Sequence, residues 1–149
     1  MQRTYLIVEN EMIYDAIIIG GGPSGATAAM ELALQNRKVA FIDREGRIKP
    51  CGGAVPPRLI RDFNIPDSQI VAKIKTARMI SPTSRMVDIP IENGYVGMVE
   101  RENFDEFLRN RASNKGAKRF TGTFLRIERI AEKDIVSVFF QRQKIKKRN

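Results

Sequence analysis

The chain is 149 residues long, 42% hydrophobic and 29% charged, with a formal net charge of +9, which suits one modest domain with a real core and is too short for two. One cysteine, Cys51, and no histidine exclude an intrachain disulfide, a zinc site of His and Cys, and hydrolases that rely on a histidine base, and a reducing cytoplasm is the expected compartment. No apolar stretch approaches a membrane span, and five of the excess positive charges fall in residues 141–149 without the interleaved aromatics of a nucleic-acid surface, so that end reads as a solvated, disordered tail.

Residues 1–13 hold acid and no small-residue cleavage site, and are expected to be an extension ahead of the first strand rather than a secretory signal. The apolar run Ala16–Ile19 then predicts a parallel strand buried on both faces. It feeds Gly20, Gly22 and Gly25, the spacing of a dinucleotide-phosphate cradle. Gly20 permits the tight turn, Gly22 lets backbone N–H groups approach a pyrophosphate, and Gly25 lets the following helix pack closely on the strand. The ligand would sit on the positive end of a helix dipole. Ala26, Met30, Ala33 and Leu34 recur at helical spacing, and Asn36 offers a stop. Residues 38–42 predict a second strand that ends on Asp43, a carboxylate placed to accept hydrogen bonds from adenosine ribose hydroxyls.

A basic, proline-punctuated loop follows over residues 44–57, with Cys51, Gly52 and Gly53 at its centre, a poor choice for helix or strand. Residues 57–63 suit a short helix. Residues 77–81 and 86–91 predict strands around a turn at 81–84, and 95–99 another. Residues 100–113 read as an amphipathic helix showing Phe104, Phe107, Leu108 and Arg111, stopped by Gly116. Residues 120–128 and 135–140 predict a hairpin around 131–134. The order is strand, helix, strand, inserted small sheet, helix, strands, an α/β arrangement with fewer parallel strands than a doubly wound nucleotide fold needs.

Three stretches, YDAIIIGGGPSGATAA (14–29), DREGRIKPCGGAVPPRLI (43–60) and GMVERENFDEFL (97–108), resemble the geranylgeranyl reductase family of flavoproteins from chlorophyll and bacteriochlorophyll synthesis. The resemblance covers residues 14–140, and its second stretch is far more specific than the glycine loop. It implies a Rossmann-like FAD-binding fold of the p-hydroxybenzoate-hydroxylase-like, glutathione-reductase type, and reduction of geranylgeranyl double bonds to phytyl. The substrate would be geranylgeranyl diphosphate or a geranylgeranyl-esterified pigment, and NADPH or reduced ferredoxin the electron donor. Gly20, Gly22, Pro23, Ser24 and Gly25 would hold the FAD pyrophosphate, Asp43 with Arg44 the adenosine side, and Arg101 would reach the pyrophosphate as a fixed cation. Gly52 and Gly53 would lie against the isoalloxazine edge, Cys51 would face the substrate cavity as a proton donor or positioning group, and Arg47 and Lys49 could attract a diphosphate.

The family continues past this length through a Gly-Asp flavin segment and a substrate-tunnel domain, so the chain is expected to be an N-terminal fragment that binds FAD weakly or not at all and lacks reductase activity by itself. The complete enzyme could associate peripherally with a photosynthetic membrane because its substrate is greasy. Two other readings stand beside this one. A flavin hydroxylase shares the opening unit but gives no reason for the Cys51 loop, and a non-enzymatic basic protein would use its tail on nucleic acid or anionic membrane.

Overall fold

The computed structural model describes residues 12–44, 50–130 and 135–142. The chain forms two compact units, Met1–Arg47 with Asp105–Asn149, and Ile48–Phe104. No helix among the described residues is long and apolar enough to cross a membrane.

In the first unit, β1 (Ala16–Ile19), α1 (Pro23–Leu34) and β2 (Val39–Asp43) follow one another as the sequence predicts, and β8 (Lys118–Ile130) and β9 (Ile135–Arg142) complete a sheet of order β1-β2-β8-β9. β1 and β8 both pair parallel to β2, with Ile19 opposite Ile42 and Asp43 opposite Thr121. β9 then pairs antiparallel to β8, with a register shift between Phe124 and Arg126. β2 is central, and Val39, Ala40, Phe41 and Ile42 are all buried, which is what a continuous apolar run achieves when both faces are covered. β1 departs from the expectation. Ile17 and Ile19 remain 37% and 44% exposed, because among the described residues β1 is an edge strand paired only with β2. Its inner face carries Ile18 into the core of Ala29, Met30, Val39, Phe41, Ala112 and Ala117.

Asn36 lies at φ 59° just past α1, and Gly116 at φ 104° just past α3 (Arg101–Asn114). Both are the left-handed residues that close a helix. The last strand takes in Gln141 and Arg142, which pair with Thr123 and Gly122, so the solvated tail expected from residue 141 is corrected at those two positions. They extend the hairpin because backbone pairing does not depend on side-chain polarity.

The second unit contains the small inserted sheet. β7 (Val96–Met98) is flanked by β3 (Ala54–Val55) and β4 (Ala72–Ile74), both antiparallel. Neither flanking strand is legible in the sequence, since two or three residues give no alternation to read. Gly97 at the centre of β7 leaves room for Ile60 and Ile70. A Cβ there would come within 2.8 Å of the Ile70 side chain and 3.0 Å of the Ile60 side chain. The predicted short helix is α2 (Pro57–Asp62), followed by a 3-10 turn at Asp67–Gln69. The predicted hairpin is β5 (Thr76–Ile80) with β6 (Met86–Pro90), its turn closed by Ser84 N–H donating to Ser81 O at 2.9 Å.

Candidate functional site

The glycine loop joins β1 to α1, and its glycines differ in what the local backbone asks of them. Gly20 sits at φ 105°, in the region that favours glycine, and its N–H donates to Ile42 O at 2.8 Å, tying the turn to β2. Gly25 brings α1 onto the loop, for a Cβ there would lie 1.8 Å from Gly20 O. Gly22 is different. It has φ −70°, open to any residue, and a Cβ added to it meets nothing within 4 Å.

That open space is matched by the start of α1. Gly22 is the N-cap, Pro23 occupies the first turn, no side chain among the described residues caps the helix, and no acid lies in its first turn. An uncapped α1 start presents N–H donors and about half a positive charge. These features fit an anionic group, and a pyrophosphate in particular, since glycine at 22 keeps clear the volume that a side chain would fill. Ser24 is exposed on the same turn.

Asp43 ends β2 beside the loop. Gly21, a variable position in the fingerprint, lies against it: a Cβ on Gly21 would come 2.7 Å from the Asp43 Cβ. Arg109 Nη1 donates to Asp43 Oδ2 at 3.0 Å and to Gly21 O at 3.2 Å. Arg109 Nε donates to Glu106 Oε2 at 2.9 Å. Glu106 in turn accepts from Arg119 Nη1 at 2.6 Å and Nη2 at 2.9 Å. The two Arg119 bonds, and then the one from Arg109, hold the Glu106 carboxyl below its ordinary titration range against the opposing effect of burial. Sequence reasoning misses Arg109 as a partner of the loop, because its contacts span 66 and 88 residues. Only its i,i+3 pairing with Glu106 leaves a local trace.

Gly20, Gly22, Pro23, Ser24, Gly25, Asp43 and the exposed Arg44 thus belong to the first unit, and Cys51, Gly52, Gly53 and Arg101 to the second. Cys51 and Gly52 are exposed. Gly52 has open space where a Cβ would be, whereas Gly53 is at φ 69° and a Cβ there would lie 2.1 Å from Val99 O. Val99 N–H donates back to Gly53 O at 2.9 Å. Gly53 therefore has a backbone reason of its own, while Gly52 does not. Arg101 opens α3 and is half-buried. Arg47 and Lys49 lie outside the described residues.

Residues 14–149 match the pyridine nucleotide-disulphide oxidoreductase family. The chain is 66% identical over 125 residues to a geranylgeranyl diphosphate reductase of Rhodobacter capsulatus, a match covering 84% of this chain and 32% of that protein. It is 41% identical over 115 residues to a chloroplastic geranylgeranyl diphosphate reductase of Arabidopsis thaliana, covering 74% of this chain and 25% of the relative. Among solved structures, a geranylgeranyl bacteriochlorophyll reductase-like protein of Thermoplasma acidophilum is similar at TM-score 0.66 and 27% identity, over 76% of this chain and 32% of that one. A flavin-dependent brominase shares the fold at TM-score 0.71 and 23% identity, over 88% of this chain and 34% of its own. The chain spans about a third of the length of the R. capsulatus relative.

Proposed function

This chain belongs to the pyridine nucleotide-disulphide oxidoreductase family, and on that premise we propose that it is the adenine-dinucleotide-holding part of an FAD-dependent geranylgeranyl reductase. The observation that carries the reading is the clear volume at Gly22 beside the uncapped start of α1, with the Asp43 carboxylate alongside the same loop. Its similarity to geranylgeranyl diphosphate reductases supports the choice among flavin chemistries.

In this reading the first-turn amides of α1 and the loop backbone hold the pyrophosphate, and Asp43 accepts from the ribose hydroxyls. When bound, FAD supplies hydride transfer to an isolated alkene, after reduction by NADPH or reduced ferredoxin. Arg101 is assigned to the pyrophosphate as a cation with several donors. Cys51 and Gly52 are assigned to the flavin and substrate side, Cys51 as a proton donor or positioning group. The prenyl substrate is geranylgeranyl diphosphate or its pigment ester, and its apolar chain makes peripheral membrane association a property of the whole enzyme. Turnover is assigned to a protein of the relatives' full length, with these residues supplying the dinucleotide end.

The test is a graft in which residues 14–140 replace the matching segment of the R. capsulatus reductase. Anaerobic incubation with geranylgeranyl diphosphate and NADPH is expected to give partly and fully saturated prenyl products by mass spectrometry. A flavin-loaded graft that leaves the prenyl chain unsaturated without air, and consumes oxygen with NADPH when air is admitted, would overturn the reductase reading in favour of a hydroxylase.

A further inference from the structure

We propose that Arg109 is a positioning residue that sets the ribose end of the cradle, an inference that rests on the dinucleotide reading above. One nitrogen, Nη1, donates both to Gly21 O and to Asp43 Oδ2. The phosphate loop and the ribose carboxylate are therefore referenced to a single atom. Arg109 is itself anchored, with its side chain only 14% exposed and its Nε held by Glu106, which the two nitrogens of Arg119 grip. Signs alternate along Asp43, Arg109, Glu106 and Arg119, so no like charges adjoin in the chain of pairs.

Asp43 is constrained from two sides. The missing side chain of Gly21 lets it press against the loop, where even a Cβ would be 2.7 Å away, and Arg109 pins Oδ2. An ionised carboxylate offers about four acceptor positions, and among the described residues Arg109 Nη1 takes one of them. The carboxylate is held in place while it keeps acceptors for a ligand, so a ribose that donates to it meets an oriented group and pays little ordering entropy. An arginine that merely stapled α3 to the sheet would need neither contact on the loop side. Arginine suits the task because its planar fork holds Glu106 and the loop at fixed separation, which the point charge of lysine cannot do.

The experiment titrates the 149-residue chain with millimolar ADP and with 2′-deoxy-ADP, following the amide resonances of the glycine loop by NMR. Both probes carry the pyrophosphate, and only ADP carries the 2′-hydroxyl. Wild-type protein is expected to prefer ADP by about tenfold, the worth of one charge-assisted hydrogen bond. The preference is expected to fall below about twofold in Arg109→Met and to be intermediate in Arg109→Lys. Undiminished preference in folded Arg109→Met, or in Arg109→Lys should the methionine variant not fold, overturns the positioning role and leaves the cradle standing. Loop shifts that are equal for the two probes in wild type overturn it as well, since Asp43 would then not read the 2′-hydroxyl. A wild-type loop indifferent to both probes overturns the dinucleotide reading and this inference with it.

Discussion

Alanine at Gly25 puts a Cβ 1.8 Å from Gly20 O, 3.0 Å from Gly20 C and 3.3 Å from Ile18 Cγ2. An ordinary non-bonded contact needs about 3.5 Å, so the start of α1 must lift from the loop by roughly 1.7 Å. The obstacle is backbone that Gly20 N–H ties to Ile42 O, and no rotamer change relieves it. Lifting the helix also draws Ala26 and Ala29, both fully buried, out of their packing. Overpacking of a core costs up to about 3 kcal/mol, and the gain in helix propensity from Gly to Ala returns about 1 kcal/mol. The net loss is about 2 kcal/mol. Urea unfolding followed by circular dichroism is expected to show the midpoint falling by about 1 M at an unchanged slope. A Gly25→Ala midpoint equal to that of wild type would refute the claim that close backbone approach dictates glycine here.

Gly53→Ala sets a Cβ 2.1 Å from Val99 O at a left-handed position, and hydrogen exchange of the Val99 amide, which donates to Gly53 O, is expected to accelerate by about a hundredfold or more, since about 3 kcal/mol of strain and overpacking is lost from that contact. The Glu106 carboxyl titrates lower in the folded chain than in the unfolded one, so its contribution is present at neutral pH, begins to go as pH falls below the unfolded value, and is lost as pH passes through the lower folded value. The stability difference between wild type and Glu106→Gln should therefore shrink in acid, and because Glu106 is 43% exposed the difference itself stays below about 1 kcal/mol; a gap constant from pH 7 to pH 2 in thermal melts would contradict the assignment. Cys51→Ala in the graft described above is expected to keep its flavin content and to lose about a hundredfold in turnover if the thiol is the proton donor, measured as the initial rate of prenyl saturation.

Much of the first unit is legible in the sequence because its signals are local. The apolar run of β2, the glycine spacing and the helix stops at Asn36 and Gly116 each act within a few residues, and each is found where the pattern puts it. The exposure of Ile17 and Ile19 is not legible, because a run of apolar residues states what a strand can bury and not how many neighbours it has. The open volume at Gly22 and the tight approach at Gly25 follow from one fingerprint. Gly21 and Arg109 escape it, since Gly21 matters through its contact with Asp43 and Arg109 through hydrogen bonds that reach Asp43 and Gly21 across 66 and 88 residues of chain. The short strands β3 and β4 are set by pairing to β7 rather than by any pattern of their own.

The central claim is that the Gly22 space beside the α1 start receives a pyrophosphate. Phosphorus NMR of ADP titrated with wild-type protein and with Gly22→Ala reports on the phosphates themselves, and the added methyl meets no atom of the described residues within 4 Å, so the cost in stability is limited to the N-cap preference for glycine over alanine, about 1 kcal/mol. Both ADP phosphorus signals are expected to shift and broaden with wild-type protein and to stay at their unbound positions with a Gly22→Ala protein that still melts cooperatively. Equal shifts with the two proteins would contradict the claim.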